Sequence, residues 1–551
     1  MKDILAGLLD RILDVWCVPK SRALRVNPFF VLSLAAICVG CAWVGAVPTF
    51  VFGHDDFFML ENGWRVLNGL RPQLDFWSPW GPVAFLVAGL GLKFSHGSAN
   101  GIAYGNAIFA LVMGLWTYAV GRNRLQPVPR ALLALYASAL ACAPYPIGLV
   151  PMELSHAMIY NRYGYALLVP LLVECFPSRE RHSTSNEEWL GAASTGALLG
   201  VALFMKVSYF LVGAGLVVAS FIFCAGTIRR LMGIIVGLAA VSFLCIAYLR
   251  FQLGAMLRAL HMAAGARAQS LSAKSIIYNV VMHAIMLLCI VGIGILVSFL
   301  KPRSQRWFRE LDLPLVAAII YLADVALFST NAQSGGLPLL GAFAIILASR
   351  VAEFRNDSAS SERQFATPFL ASILLASGVL FLPQFTGDVA AIPFAALREV
   401  HPYSGCAARF TEPRVRSLLL CEGSIEDASQ QWSNGGNYTS YVNDGVALLH
   451  RCCDANDRVL AMDMQNPFPY VLGWRPPRGG LASTAYNYTL SDNFRPSMDE
   501  YFGDATVVMV PKRPAMIPLY GQRFYETYVP EVKRRYYLEA ESDWFWVYKR
   551  D

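Results

Sequence analysis

The feature that most constrains the fold is a series of long apolar blocks separated by short polar loops. A helix of about 20 apolar residues crosses a bilayer with its backbone hydrogen bonds satisfied internally. About eleven blocks approach that length: residues 29–51, 102–120, 131–150, 160–176, 189–204, 210–225, 231–248, 276–300, 314–328, 337–348 and 369–382. Because 56% of the residues are hydrophobic and only 15% are charged, the sequence predicts a polytopic α-helical membrane protein.

The basic residues predict the orientation of the chain, because loops rich in arginine and lysine stay in the cytoplasm. The apolar run 82–92 has only about eleven residues, which favours an interfacial or re-entrant segment over a span. With that run left out and the N-terminus inside, the basic loops all fall on the cytoplasmic side. They contain Arg122, Arg124, Arg130, Arg179, Arg181, Arg229, Arg230, Lys301, Arg303, Arg306, Arg309, Arg350, Arg355 and Arg363.

Three regions are predicted. Residues 1–28 form a cytoplasmic N-terminal segment, since no small-residue cleavage site follows the first apolar block. Residues 29–382 form the transmembrane domain, in which loop 53–98 lies outside the cytoplasm. Residues 383–551 form an extracytoplasmic α/β domain. The chain is thus expected to be a multi-pass protein of the cell membrane, which is the inner membrane in a Gram-negative cell.

The extracytoplasmic domain is predicted to contain strands at 458–462, 505–510 and 545–549, and a helix at 441–452. Its cysteines are Cys406, Cys421, Cys452 and Cys453. Two of them are adjacent and do not fit a CxxC metal pattern. We therefore expect one or two disulfides here rather than a zinc site.

The first outer loop concentrates carboxylates and aromatic rings beside the membrane. Its apolar residues recur at spacings of three and four, which predicts an amphipathic helix lying on the membrane surface. Asp55, Asp56 and Asp75 are expected to lie beyond the ends of this helix, with Asp55 or Asp56 as its N-cap. Glu61 is expected to be a solvated charge on the helix. An aspartate here can serve as a general base or hold a divalent metal, so the loop is predicted to be catalytic.

Cations on the outer side form a second group of candidates. Lys206 lies between two apolar blocks, where it either reaches the membrane surface or binds a lipid phosphate. The outer loop 250–274 carries Arg258, His261 and Arg267. Fixed cations at the outer leaflet suit a phosphate or diphosphate, and nonspecific contact with lipid headgroups is the alternative.

A third group of candidate residues flanks the block 160–176. Glu153, His156, Asn161 and Arg162 lie on its outer side and are candidates for substrate binding. Glu153 and His156 are three residues apart and could share a metal ion, but two ligands are weak evidence. A structural hydrogen-bond cluster is the favoured interpretation, so no metal ligands are assigned.

Several motifs resemble those of the GT-C superfamily of membrane glycosyltransferases, in particular the bacterial relatives of protein mannosyltransferases and of the lipid A aminoarabinose transferase. They are the pair Asp55-Asp56 after the first span, the stretch NGLRPQLDFWSPWGP at 68–82, the basic turn at 121–125, FMKVSYF around Lys206, and Leu337-Pro338 opening a late span. The resemblance covers about the first 350 residues. That family often has Asp-Glu where this chain has Asp55-Asp56.

The resemblance implies an inverting transfer of a sugar from a polyprenyl-phosphate donor to a lipid, polysaccharide or protein outside the cytoplasm. Asp55 would be the base and Asp75 a second acid at the site. Lys206 and an arginine of segment 258–267 would stabilise the leaving phosphate. No cofactor is certain, a divalent cation is left open, and nucleic acid is not expected as a partner.

Two other functions compete with this one. A flippase for a lipid-linked glycan would use the same outer cations, and Asp324 inside a predicted span favours it. Against it, the sequence has no inverted repeat. A non-enzymatic assembly protein with a polymer-binding tail would tolerate replacement of each aspartate.

Overall fold

The computed structural model describes residues 28–175, 185–223, 227–268, 273–300, 312–331, 333, 335–357, 360–400, 406, 409–421, 435–514 and 518–550. The predicted N-terminal segment, residues 1–28, therefore lies outside the described residues except for its last position. The basic residues at 179, 181, 301, 303, 306 and 309 also lie outside them.

Among the described residues before position 401, the regular structure is helical apart from one short strand, β1 (Pro48–Thr49). Its helices are α1 (Pro28–Val44), α2 (Gly53–Leu67), α3 (Pro82–Phe94), α4 (Gly101–Val120), α5 (Pro127–Cys142), α6 (Ile159–Cys175), α7 (Ser185–Leu203), α8 (Val207–Phe223), α9 (Ile228–Tyr248), α10 (Leu253–Ala268), α11 (Ala273–Met282), α12 (Ala284–Leu300), α13 (Asp312–Thr330), α14 (Pro338–Asp357) and α15 (Ser360–Val400).

Every predicted membrane block coincides with helical structure, which agrees with a polytopic helical membrane protein. Among the described residues, four helices are each long and apolar enough to cross a bilayer: Gly101–Asn123, Ile228–Tyr248, Asp312–Thr330 and Ser372–Arg398. Five shorter apolar helices accompany them: Pro28–Val44, Pro82–Phe94, Pro127–Cys142, Val207–Phe223 and Pro338–Ser349. The count of about eleven spans stays a prediction.

Two predicted blocks differ from the observed helices. Block 276–300 is not one straight helix, because the chain bends by 62° between Ile276–Met282 and Ala284–Ser298. The last helix, α15, does not end near residue 382 but continues to Val400, past the predicted start of the extracytoplasmic domain. Gln384 and Asp388, which end the apolar block, are one helical turn apart and hydrogen-bonded to each other at 2.9 Å. One oxygen of Asp388 also accepts hydrogen bonds from Tyr145 and Arg162, so this polar pair is held inside the protein and does not end the helix.

Close helix packing depends on small residues, as is usual in membranes. Helices α7 and α9 approach most closely where Gly196 and Gly237 lie. A Cβ at Gly237 would be 1.9 Å from the carbonyl oxygen of Ala193, and one at Gly196 would be 2.0 Å from that of Ile234. Neither position can accept a side chain without moving the helices apart.

The tail beyond residue 401 contains β2 (Leu419–Leu420), α16 (Gly435–Cys452), β3 (Val459–Ala461), α17 (Phe468–Leu472), α18 (Met498–Phe502), β4 (Val507–Pro511), α19 (Pro518–Arg535), β5 (Tyr537–Glu541) and β6 (Phe545–Lys549). Four of its strands form one sheet in the order β3-β4-β6-β5. β3 is parallel to β4, and the other neighbours are antiparallel. The three predicted strands and the predicted helix are present. β5 was missed because its side chains are mostly exposed and show no apolar alternation.

The tail packs directly on the first outer loop. The indole N–H of Trp64 in α2 donates to the carbonyl of Trp474 at 2.9 Å, and the side-chain amide of Asn62 donates to that of Ala482 at 2.9 Å. The backbone N–H of Ala482 in turn donates to the carbonyl of Trp77 at 2.8 Å. These bonds join the tail to the helix that carries Asp55 and Asp56.

A second connection is the two-residue pairing of β1 with β2. The strands are parallel, and the backbone N–H of Cys421 extends the ladder by donating to the carbonyl of Thr49 at 2.9 Å. Cys421 is disulfide-bonded to Cys406, which confirms the expectation of at least one disulfide in the tail. Cys452 and Cys453 are free thiols whose sulfur atoms are 3.3 Å apart.

Candidate active site in the first outer loop

Helix α2 begins at Gly53, earlier than the sequence predicted. Phe52 is its N-cap residue, with a left-handed φ of 53°, and no side chain caps the helix there. Asp55 and Asp56 therefore lie within the first helical turn. The expectations that they lie beyond the helix and that one of them caps it are wrong. Carboxylates in this turn still gain from the positive end of the helix dipole.

Asp56 is fully buried and both of its oxygens have partners. The hydroxyl of Thr49 in β1 donates to one oxygen at 2.6 Å, and the backbone N–H of His156 donates to the other at 3.1 Å. Burial raises the pKa of Asp56 to about 7, although both hydrogen bonds oppose the shift. Asp56 thus joins β1, α2 and the loop before α6.

Asp55 retains access to solvent. Its side chain is 17% exposed, and one of its oxygens lies 3.5 Å from Nε2 of His54. Burial raises the pKa of Asp55, and the charge of His54 offsets part of that effect. Asp55 interacts electrostatically with the hydroxyl of Tyr160 in α6 and with that of Tyr438 in α16. Asp55 therefore lies between the membrane part and the tail, where a reacting group can reach it.

Lys206 lies between α7 and α8, facing the start of α6. Its ammonium donates to the side-chain oxygen of Asn161 at 3.2 Å and lies 4.8 Å from the centre of the Tyr160 ring. Burial lowers the pKa of Lys206 to about 7, and the charge of Arg267 adds to this effect. Tyr160 experiences the charge of Arg267 as well as that of Asp55. Lys206 thus contacts Tyr160 directly, and Asp55 and Arg267 are near enough to act on the same side chain electrostatically.

Aromatic side chains form the wall of this region. The ring of Tyr160 packs against that of Trp80 at 5.3 Å and that of Phe58 at 5.5 Å between centroids. Trp80 belongs to the SPWGP sequence of the first outer loop. The guanidinium carbon of Arg267 lies 3.9 Å from the centre of the Tyr488 ring, which belongs to the tail.

The other predicted site residues of the first loop and of α10 lie apart from this group. Asp75 accepts the backbone N–H of Arg71 at 2.8 Å and lies 3.7 Å from Nε of Arg478, so its carboxylate stabilises a turn and contacts the tail. Arg258 is exposed on α10. His261 packs edge to face on Phe494 at 5.4 Å.

Glu61 is not a solvated charge. Its side chain is buried, forms an ion pair with Arg65 at 3.1 Å and accepts the backbone N–H of Tyr470 at 3.2 Å. The guanidinium of Arg65 also donates to the carbonyl of Gly479 at 3.1 Å. The expected exposure was wrong because the tail covers the face of α2 that a free amphipathic helix would present to water.

Glu153 and His156 do not form a metal site. Glu153 accepts the backbone N–H of Val150 at 3.0 Å. The ring nitrogens of His156 contact Asn106 and the carbonyl of Gly45, each at 3.3 Å. Burial lowers the pKa of His156 to about 4, so the ring is neutral. Among the residues that the structure describes, no group of three or more His, Cys, Asp or Glu is placed to hold a metal ion.

Asn161 and Arg162 are neighbours in sequence with different surroundings. Asn161 faces Lys206, as described above. Arg162 is buried and forms an ion pair with Asp388 of α15 at 2.9 Å, while its Nε donates to the carbonyl of Tyr145 at 2.6 Å. Arg162 therefore joins α6 to the last helix rather than facing Asp55.

Several residues at the site were not predicted from the sequence. They are Thr49, His54, Trp80, Tyr160, Tyr438 and Tyr488. Trp80 and His54 lie within loop 53–98, so their closeness to Asp55 along the chain could have indicated them. The two tail tyrosines had none, because they are separated from Asp55 by more than about 380 residues.

These features define a class of protein. The chain is a polytopic helical membrane protein, and its fold is that of a solved membrane protein to which its motifs predicted a resemblance. It is similar to the crystal structure of ArnT from Cupriavidus metallidurans bound to undecaprenyl phosphate, with a TM-score of 0.50 and 13% sequence identity. The likeness covers 95% of this chain and 98% of that one, so it includes the tail.

Two further solved structures are more distant. Apo ArnT from the same organism matches with a TM-score of 0.48 and 12% identity over 94% of this chain and 97% of that one. An oligosaccharyltransferase from Archaeoglobus fulgidus, tethered to an acceptor peptide, matches with a TM-score of 0.34 and 13% identity over 67% of this chain and 56% of that one. No protein-family model and no curated protein matches the sequence.

Proposed function

We propose that this protein is a glycosyltransferase that moves a sugar from a polyprenyl-phosphate donor to a hydroxyl acceptor at the outer membrane surface, with inversion at the anomeric carbon. The observation that supports the proposal is Lys206 in contact with Asn161 and Tyr160, with Asp55 and Arg267 near enough to act on the same tyrosine electrostatically. A base and two cations are the groups that such a transfer requires. The solved structure of similar fold, ArnT, binds undecaprenyl phosphate.

In this mechanism Asp55 is the general base. It removes the proton from the acceptor hydroxyl while that oxygen attacks the anomeric carbon of the sugar. The bond between this carbon and the phosphate oxygen breaks, and its electron pair leaves with the lipid phosphate. Asp55 is suited to the task because it is partly exposed and its pKa is raised by burial.

The cations stabilise the leaving group. Charge grows on the lipid phosphate as the bond breaks, and Lys206 and Arg267 are placed to interact with it. Lys206 has a pKa lowered to about 7, so the arrival of an anionic phosphate favours its protonated form. The planar guanidinium of Arg267 can donate to two phosphate oxygens together.

The other residues that the sequence singled out fit this proposal unequally. Asp56 positions the start of α2, and Asn161 orients Lys206. Asp75, Glu153, His156 and Arg162 stabilise the surrounding structure through the contacts described above. Arg258 and His261 lie on α10 with Arg267 and would contact lipid headgroups near the donor.

A resident divalent cation does not fit the described residues. Both oxygens of Asp56 already accept hydrogen bonds, and the neighbour of Asp55 on its own turn is the imidazole of His54. The other acids of the loop are engaged with the tail or with backbone groups. No step of the mechanism is therefore assigned to a metal ion.

The acceptor is proposed only by class. A lipid, a polysaccharide or a protein at the outer surface would present a hydroxyl to Asp55, and the tail would lie on the acceptor side through Tyr438. This assignment includes a cytoplasmic N-terminus and an extracytoplasmic tail, which the basic loops of the sequence support.

The flippase alternative loses its main support in the structure. Asp324 is buried in α13, where its carboxylate accepts the backbone N–H of Leu340 at 3.0 Å. This bond lies in the first turn of α14, where backbone N–H groups lack partners within the helix. Asp324 thus has a structural partner, and an ion pathway is not needed to explain it.

The test uses membranes that contain the wild type, Asp55→Asn, or the control variant Asp543→Asn, whose carboxylate is exposed in the tail. Transfer of labelled sugar from polyprenyl-phosphate donors to endogenous acceptors is followed at equal protein levels. We expect Asp55→Asn to lower kcat by about 10²–10⁴-fold and Asp543→Asn to match the wild type. Wild-type membranes that transfer no sugar, while a glycolipid changes sides, would establish the flippase instead.

A further inference from the structure

One loop of the tail, residues 483–494, packs against the second half of α10. The ring of Phe494 contacts His261 edge to face, and a Cβ at Gly265 would lie 2.5 Å from the same ring. The ring of Tyr488 lies 3.9 Å from the guanidinium carbon of Arg267. His261 and Gly265 are four residues apart and share one face of α10, which Phe494 covers, whereas Tyr488 reaches Arg267 on a different side of the helix.

The tail loop is itself held by hydrogen bonds. The backbone N–H of Asn487 donates to the carbonyl of Leu490 at 2.7 Å, and the hydroxyl of Thr489 donates to that of Ser483 at 2.8 Å. Asn487 has a left-handed φ of 61°, which asparagine tolerates in tight turns. Tyr488 at the tip is 39% exposed although it is a large aromatic residue.

An aromatic ring at the tip of a fixed turn can hold a guanidinium in one orientation. The attraction between cation and ring face is about 0.5–1 kcal/mol when exposed and larger when water is excluded. The held arginine is also the one whose charge reaches both Lys206 and Tyr160. The side chain that orients Arg267 therefore comes from the tail, whereas Lys206 comes from the membrane part.

We propose that Tyr488 is a positioning residue for the donor site: by stacking on Arg267 it holds the guanidinium ready for the phosphate of a lipid-linked donor. The inference rests on the proposed function and deepens it. The tail then contributes to donor binding as well as to the acceptor side. Loss of the ring removes this contact and orients the guanidinium less well, so donor affinity falls and the charge on the leaving phosphate is stabilised less.

The experiment measures binding of a short-chain polyprenyl monophosphate to the purified full-length protein in detergent. Tyr488→Ala is expected to weaken binding by about three- to tenfold, and Tyr488→Phe to bind as the wild type does. Trp546→Ala, which removes an exposed tail aromatic of the β-sheet, is the matched control and should have no effect. In turnover assays Tyr488→Ala should raise KM for the donor and lower kcat, whereas Tyr488→Phe should change neither.

A double-mutant cycle separates positioning from a general structural effect. If Tyr488 acts through Arg267, Tyr488→Ala should cost nothing further in an Arg267→Gln background. An equal loss in both backgrounds, or unchanged binding by Tyr488→Ala alone, overturns this inference and leaves the proposed function standing. A wild type that binds no polyprenyl phosphate overturns both.

Discussion

Asp55 and Asp56 are adjacent in sequence but have different surroundings, and we propose different tasks for them on that ground. Asp56 is enclosed and has a hydrogen-bond donor on each oxygen, whereas Asp55 is partly open and has only an imidazole close by. The sequence singled out both aspartates as candidates but could not show that their surroundings differ. The distinction depends on Thr49 and His156, and only folding brings the latter to the loop.

The environment of Asp56 predicts that an amide can replace its carboxylate. In Asp56→Asn the amide oxygen would accept the N–H of His156 and the NH₂ would donate to Thr49, whose hydroxyl can turn to the carbonyl of Val47. We expect most of the activity to survive in Asp56→Asn. Asp56→Leu, which leaves the backbone N–H of His156 buried without a partner, should lower the free energy of unfolding by about 1–3 kcal/mol. Sugar-transfer assays test the prediction for Asp56→Asn, and denaturation in detergent tests the one for Asp56→Leu. Equal inactivation of Asp55→Asn and Asp56→Asn would contradict this division of roles.

The pKa values predict a bell-shaped dependence of kcat/KM on pH. Asp55 must be deprotonated, so activity rises as pH passes its raised pKa. Lys206 must be protonated, and its pKa is lowered to about 7, so activity falls above that pH. Lys206→Arg keeps its positive charge, so the decrease of kcat/KM at alkaline pH should disappear or move to higher pH. Lys206→Met should have a low kcat/KM at every pH. An alkaline limb that is identical in Lys206→Arg and the wild type would assign it to another group.

At the scale of elements, the start of α2 depends on a pairing between distant segments. β2 pairs with β1, Leu420 packs on Gly53, and Thr49 of β1 donates to Asp56. The disulfide between Cys406 and Cys421 is adjacent to β2 and joins residues 15 positions apart. The sequence indicated disulfides in this region but not their pairing or their connection to the aspartates.

This connection predicts that activity depends on the disulfide. A Cys406→Ser/Cys421→Ser variant loses a crosslink that stabilises by about 3 kcal/mol for a loop of this length. Without it, the pairing of β2 with β1 should loosen and activity should fall, while insertion into the membrane stays normal. The control is Cys452→Ser/Cys453→Ser, since those thiols are free. If turnover is unchanged by reductant or in the Cys406→Ser/Cys421→Ser variant, β2 stays paired with β1 without the disulfide.

At the scale of the whole molecule, the tail is part of the site. It buries Glu61 and Arg65 and contributes the rings of Tyr438 and Tyr488 around Asp55 and Arg267.

The buried ion pair between Glu61 and Arg65 predicts how the loss of one partner affects the stability of the protein. Glu61→Gln would leave Arg65 with a buried charge and no carboxylate partner, which costs about 3–5 kcal/mol. The double variant Glu61→Gln/Arg65→Met should recover much of that loss. Thermal unfolding of the purified proteins tests this, and a fully stable Glu61→Gln would show that backbone acceptors alone satisfy Arg65.

The sequence by itself determined the class of the fold and the approximate positions of the long apolar helices, and it singled out the first outer loop as the candidate site. Apolar blocks and basic loops report local free energies of transfer between water and lipid, so they can be interpreted without knowledge of the fold. Residues such as Asp55, Lys206 and Arg267 were found because charge beside a membrane is costly and therefore informative.

The tertiary structure alone decided which of these charges face one another. It buried Glu61, directed Arg162 toward Asp388, extended α15 past the apolar block and brought Tyr438 and Tyr488 to the site. Each of these outcomes depends on contacts between segments far apart in the chain. Periodicity and spacing describe the neighbours of a residue along the chain, whereas its pKa, burial and role depend on its neighbours in space.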